Sequence, residues 1–161
     1  MPLGTAGGTT YSDGSVVPGT TYAYAPDTPE AEARPYWLTP GTRSFVAEDD
    51  DGGRIVGMYR ITANRRDLGS HVANASFMVD PACQGRRIGE ALGRDCLREA
   101  KRAGFLAMQF NFVVSTNTGA VALWRKLGFE IVGTLPKAFQ HRERGLVDAL
   151  VMYRFLDDIG A

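Results

Sequence analysis

The run from Phe105 to Val114 constrains this chain more than any other segment, because it is near-continuously apolar and aromatic, as a strand covered on both faces must be. Ahead of it, Ile88, Ala91, Leu92, Cys96 and Ala100 recur at three- and four-residue spacing. That spacing predicts a helix over Gly85 to Ala103, with Gly104 as its C-terminal cap. Behind the run, a second helix is predicted from about Thr118 to Leu127 and is closed by Gly128. A buried strand flanked by helices needs a layered α/β or α+β arrangement.

The rest of the chain supplies the neighbouring strands. Arg43 to Ala47 and Arg54 to Ile61 read as an antiparallel pair joined by the acidic turn Glu48 to Gly53, a solvated hairpin tip. His71 to Val79 is a third strand, ended by Pro81, and Phe129 to Leu135 and Leu146 to Phe155 are two last strands around a polar loop. Thr28-Pro29-Glu30 reads as the start of a short helix, Ala31 to Leu38, stopped by Pro40-Gly41. Met1 to Gly19 is peripheral, and Asp13-Gly14 can turn a small hairpin there. The whole, 1–161, is expected to be one domain with helices on both faces of its sheet.

Composition excludes several function classes. Eighteen Lys+Arg balance eighteen Asp+Glu, so no global field draws the chain to nucleic acid or to an anionic membrane. Any anion must be held locally. Cys83 and Cys96 form neither a disulfide framework nor a metal cluster with His71 and His141, so no metal is expected. No apolar run reaches the roughly 18 residues of a membrane span and no signal peptide is visible, so the expected location is the cytoplasm.

The stretch Gln84-Gly85-Arg86-Arg87-Ile88-Gly89-Glu90 lies between a strand and a helix start. A helix N-terminus exposes unpaired N–H groups and a positive dipole end, so a glycine-bearing loop there can cradle a phosphate. The same residues also read as an ordinary helix start with two solvated arginines. They are neither a Walker loop nor a dinucleotide fingerprint.

One strand further on stands Asn117-Thr118-Gly119-Ala120-Val121-Ala122-Leu123-Trp124-Arg125-Lys126-Leu127-Gly128-Phe129. With both segments in order, the sequence resembles the GNAT family of acetyl-CoA-dependent N-acetyltransferases, in its Gln/Arg-x-x-Gly-x-Gly/Ala motif and in the Leu-Gly-Phe that ends the second. The resemblance covers roughly Thr20 to Phe155. It implies a mixed, mostly antiparallel sheet with a splayed strand pair, and acetyl-CoA as co-substrate. The implied coenzyme site is Gln84, Gly85, Arg86, Arg87, Ile88, Gly89 and Glu90 around the pyrophosphate. Met78 and Val79 are placed along the pantetheine arm, with Asn117 and Trp124 beside it. Arg87 stands where the motif has its middle glycine, and a right-handed first turn would accommodate it. The family begins with a strand and helix that Met1 to Gly19 leaves little room for.

A narrower resemblance runs through His71 to Phe77, Phe110 to Val113 and Leu146 to Ala149, which look like the fungal L-azetidine-2-carboxylate acetyltransferases. It implies that Asn74 and Asn111 hold the acceptor amine. Independently, an Asn inside the apolar run costs about 1–3 kcal/mol unless its amide is paired. That partner is either a substrate or a structural hydrogen bond across the strand split.

Neither asparagine titrates, so neither is a base; a neutral amine selected from solution needs none. His71 falls at an odd offset from Asn74 and points to the other face. The family's usual tyrosine acid is replaced by Trp124, which donates but cannot deliver a proton, and Tyr153 is a distant alternative. The aromatic pairs Tyr22/Tyr24 and Tyr36/Trp37 flank a helix that, by the resemblance, covers the acceptor; they either shape its pocket or are ordinary core anchors. The expected function is therefore acetyl transfer to a small amine, an amino or imino acid or an amine-bearing toxin, with a homodimer compatible with it. A silent acyl-CoA-binding domain and a protein acetyltransferase are the alternatives.

Overall fold

A computed structural model describes residues 30–50 and 53–160 of the chain. In order these form α1 (Glu30–Leu38), β1 (Arg43–Glu48), β2 (Ile55–Ala63), β3 (Val72–Val79), α2 (Ile88–Arg102), β4 (Ala107–Val114), α3 (Thr118–Lys126), β5 (Glu130–His141) and β6 (Gly145–Phe155). The helix start at Thr28, the pair Tyr22/Tyr24 and the hairpin around Asp13 lie outside the described residues.

Six strands make one sheet in the order β1-β2-β3-β4-β6-β5. Every neighbouring pair is antiparallel except β3 and β4, the pair linked through α2. This is the mixed sheet expected, with α2 and α3 on one face and α1 on the other.

Period-two alternation divides the two faces by chemistry. Tyr59, Ile61, Ala75, Phe77, Met108 and Phe110 point toward α2 and α3 and form the core with Leu92, Cys96, Leu97, Trp124 and Leu127. Aromatic rings run through it in sequence, Phe45 on Tyr59, Tyr59 near Phe77, Phe77 edge-on to Phe110 and Phe110 stacked on Phe129 at 4.3 Å. Gly93 lets α3 approach α2 closely, since a Cβ there would lie 2.5 Å from Leu127 Cδ1. The α1 face carries the alternate residues, Arg60, Thr62, Asn74, Ser76, Gln109 and Asn111, and is largely polar.

Three expectations change. The second helix of the described residues begins at Ile88 rather than Gly85, because Gly85 and Arg87 take left-handed backbone, φ 81° and 60°. The right-handed turn expected at Arg87 is thus not formed. The acidic hairpin tip is not merely solvated, since Asp49 pairs with Arg86 at 3.2 Å. The polar loop expected after Leu135 is mostly strand: β5 runs on to His141 past a register shift between Leu135 and Phe139, where Lys137 has φ 52°. Buried His141 then closes the turn, its Nδ1 accepting from the amides of Glu143 and Arg144.

Two stability measurements follow from this packing. The Arg87 backbone costs about 1–2 kcal/mol relative to a right-handed residue. Arg87→Gly removes that strain and loses part of the gain to unfolded-chain entropy, so it should raise stability by about 0.5–1 kcal/mol in urea titration. Fully buried Tyr59 donates to Asp95 Oδ2 at 2.6 Å. Burial works to raise the Asp95 pKa, but the hydrogen bonds from Tyr59 and Arg98 outweigh it and hold the carboxyl below its usual range. A depressed carboxyl stabilises fully above its unfolded pKa of about 3.9, and the contribution disappears as pH falls through the folded value. Tyr59→Phe should therefore cost about 1–2 kcal/mol at pH 7, with the difference from the parent narrowing below about pH 4.

Candidate active site

The parallel pair β3 and β4 shares only two rungs, Val72 with Ala107 and Ala73 with Met108. Beyond them β4 bulges between Phe110 and Val113 to stay on β6, and it leaves β3 behind. Asn74 spans the first missing rung, its Nδ2 donating to the Gln109 carbonyl at 2.9 Å.

The exposed peptide groups along this gap follow from the pairing with β2. Asn64 N donates to the Val72 carbonyl, and Asp80 N donates to the Val56 carbonyl. Even-numbered residues of β3 therefore turn their N–H and C=O groups toward β2, and odd-numbered ones toward the gap. Met78, paired with Met58, is consequently engaged with β2, and Val79 faces the gap together with Phe77 and Ala75. Of the two residues expected along the pantetheine arm, Met78 has its peptide groups turned to β2, and Val79, like Phe77, has them turned to the gap.

The gap opens into a cleft of about 630 Å³ lined by β3 from Asn74 to Phe77, β4 from Phe110 to Val114, Asn117, Ala120 and Trp124 of the following helix, and Tyr36 and Arg60. Four expected site residues, Asn74, Asn111, Asn117 and Trp124, thus meet in one cavity. Asn111 sits in the bulge. Its Nδ2 donates to Asn64 Oδ1 at 2.7 Å and its Oδ1 accepts from Gln109 Nε2 at 2.8 Å, so its amide already has structural partners. Asn117 caps α3, its Oδ1 accepting from Ala120 N at 3.2 Å. Trp124 is 8% exposed and packs 4.7 Å from both Phe77 and Phe110, so it is a wall of the cleft and part of the core at once.

Beyond the end of β3 lies the start of α2, where a Cβ at Gly89 would come 3.8 Å from the Val79 side chain. The first intrahelical bond accepted there is by the Arg87 carbonyl, from Ala91 N. No side chain caps the helix, which leaves the amides of Ile88, Gly89 and Glu90 without helical partners. Gly85 and Arg87, both left-handed, flank Arg86, so the loop curves as an anion-binding concavity does. A Cβ at Gly89 would make only ordinary contact with Leu123 and Val79, so bulk is not what requires a glycine there. Gln84 and Arg87 are exposed at the rim, and Ile88 is half-buried against β2. The Glu90 carboxylate is turned aside to Lys126 at 2.7 Å and Arg94 at 2.9 Å, and these hydrogen bonds hold its pKa below the usual range. The residues present thus fit a pyrophosphate: uncapped amides, a helix dipole and neutralised acid.

His71 is exposed ahead of β3, and Tyr153 lies on β6 opposite Gln109 and Glu130; neither lines the cleft. Cys83 is buried in the turn Pro81–Cys83. No Asp, Glu or His lines the cleft, and no cluster of three metal-ligating side chains occurs among the described residues. No described helix is long and apolar enough to cross a membrane. Sequence reasoning missed Arg60, Asn64, Ser76 and Gln109. Two of these were within reach, since Ser76 and Gln109 stand two residues from Asn74 and Asn111 on the same strand faces.

Comparison with known proteins bears on this arrangement. The model of the Acetyltransferase (GNAT) family matches residues 16–129. A GCN5-related N-acetyltransferase from Kribbella flavida superposes with a TM-score of 0.80 at 48% identity, covering 85% of this chain and 83% of that one. A GNAT superfamily phosphinothricin acetyltransferase from Sinorhizobium meliloti, in complex with AcCoA, has a TM-score of 0.69 at 25% identity, covering 80% of this chain and 70% of that one. The L-amino acid N-acetyltransferase AaaT of Escherichia coli (strain K12) is 32% identical over 115 residues, 71% of this chain and 69% of the relative. The mycothiol acetyltransferase of Mycolicibacterium gilvum is 34% identical over 61% of this chain, and the chain spans only about a third of that relative's length, 32%. With the family matched over more than half of its length, the chain belongs to the acetyltransferase (GNAT) family.

Proposed function

We infer that this chain transfers the acetyl group of acetyl-CoA to the nitrogen of a small amine, with an amino or imino acid as the leading acceptor class. The observation that carries this reading is the pairing of two unsatisfied backbone rows along one strand: the uncapped amides of α2 beyond the end of β3, and the gap-facing edge of β3 itself. The first suits a pyrophosphate and the second an extended amide-bearing arm. The relatives named for L-amino acids and for phosphinothricin support a small acceptor.

The bound coenzyme supplies the activated acyl group as a thioester. Ile88, Gly89 and Glu90 hold its phosphates through their amides, and Phe77 and Val79 offer peptide groups to its arm. The gap-facing amide of Phe77 is the donor best placed to receive charge developing on the acyl oxygen. Asn74 and Asn111 shape the polar wall on the α1 side and orient the amine through their amide groups. Among the described residues no carboxylate or imidazole lines the cleft to serve as a base, so the amine enters already neutral. The departing thiolate needs about 2 kcal/mol relative to its protonated form at pH 7, a modest demand without a general acid. Trp124 then acts as a wall and not as an acid.

Two experiments test the reading. Acetyl-CoA at 100 times its dissociation constant should stabilise the chain by about 2.7 kcal/mol, seen as a raised melting temperature. Gly89→Asp leaves the packing intact but places a carboxylate among the phosphate-binding amides. It should abolish that rise, and a rise equal to the parent's would place the coenzyme elsewhere. The second is a thiol-release screen over amines of differing basicity, with azetidine-2-carboxylate and proline analogues included. Below the acceptor's pKa, kcat/KM should rise about tenfold per pH unit, and the break should move with the acceptor's own pKa. A break fixed at one pH for all acceptors would reveal a protein base.

A further inference from the structure

Arg60 is the one buried Arg or Lys side chain among the described residues, 9% exposed in the middle of β2. Arg43, Arg54 and Arg86, all far more exposed, each have an acid partner. Arg60 has none among the described residues. Its Nη1 donates to the Tyr36 carbonyl, its guanidinium carbon lies 3.8 Å from the centre of the Tyr36 ring, and its Nε is buried with no hydrogen-bond partner. A buried cation without an anion is costly, and so is a buried N–H without an acceptor. In this chain both costs fall on one side chain that lines the cleft.

The arrangement has a direction. With Nη1 and one face of the guanidinium held by Tyr36, the edge carrying Nε and Nη2 remains, and its two parallel N–H groups match the two oxygens of a carboxylate. Arg60 also lines an adjoining hollow with Thr62, Arg65 and Arg66, where the one acid among the described residues is exposed Asp67, so the surrounding charge favours an anion. On the same sheet face, Ser76 pairs opposite Arg60 and Asn74 lies next to it along β3, between β2 and the β3–β4 gap, with Asn111 on β4 at the far side of that gap.

We propose that Arg60 binds the carboxylate of the acceptor, so that the acceptor class is an α-amino or α-imino acid whose carboxylate sits at Arg60 and whose nitrogen points to the gap. The proposal rests on the acetyltransferase reading above. Because Nε is covered in the free chain, the carboxylate displaces part of that cover, and the described residue that lies against the guanidinium is Tyr36 of α1. Docking of substrate and the seating of α1 are then one event.

The test is acetyl-CoA-dependent thiol release with L-azetidine-2-carboxylate, L-proline and L-alanine, each against its own carboxamide, in the parent, Arg60→Met and Arg60→Lys. Melting temperatures with and without acetyl-CoA are measured for all three proteins. The parent should prefer each acid over its carboxamide. Arg60→Met should raise KM for the acids by roughly 10- to 100-fold while leaving the carboxamides nearly unchanged, as loss of a charged hydrogen-bonded pair predicts. Arg60→Lys should fall between, keeping the charge without the fork. Equal losses on acids and carboxamides would mean that Arg60 only fastens α1, and would overturn the proposal. So would a parent that prefers carboxamides, or one that releases thiol with none of the acids although acetyl-CoA raises its melting temperature. If acetyl-CoA neither raises that temperature nor is consumed with any amine, the acetyltransferase reading itself falls, and the proposal with it.

Discussion

The early end of the β3–β4 ladder is the constraint on which the site depends. A parallel pair of this length could make several more rungs, and forgoing them leaves peptide groups unpaired along both strands. The chain holds the parting open with a bulge in β4 and with the Asn74 amide, which reaches across to Gln109 where the backbone no longer can. Were β4 to run straight, the ladder would close and the cleft would disappear. The interior is organised to make that parting tolerable: Phe77, Phe110 and Trp124 fill the core side of the gap, so it opens into a shaped cavity and not into solvent-filled core.

The two faces of the sheet divide the labour. One carries the stacked aromatic row and the buried helix contacts that stabilise the fold. The other carries amides, hydroxyls and one buried guanidinium beneath α1. A strand delivers both kinds of residue by simple alternation, so the nine residues of β2 and the eight of β3 build core and binding wall together. For this reason Tyr59 and Arg60, adjacent in sequence, have unrelated roles.

How legible this was in the sequence depends on the range of the determining interaction. The helix over Ile88 to Arg102, the buried strand after it and the capped helix at Thr118 are set by local periodicity and terminal glycines, and they were readable directly. The membership in a family was readable from two motifs whose residues are contiguous. What was not readable is nonlocal. The bulge that puts Asn111 into the cleft arises from the register of β4 on β6, and the hydrogen bonding of Met78 toward β2 arises from the register of β2 on β3. The left-handed Arg87 ran against residue preference, which favours glycine there, so propensity pointed the wrong way. In the sequence Arg60 is one charged residue in an otherwise apolar strand, and that no acid among the described residues pairs with it is visible only in the fold.

The ion pair between Arg86 and Asp49 has a consequence for how the loop at the start of α2 receives an anion. The Arg86 guanidinium already has a carboxylate from the β1–β2 hairpin, 3.2 Å away. An anion arriving at this loop therefore does not meet a bare cation at Arg86. The pair also fastens the β1–β2 hairpin to the loop ahead of α2, so the edge of the sheet farthest from β5 and the start of that helix are held to one another.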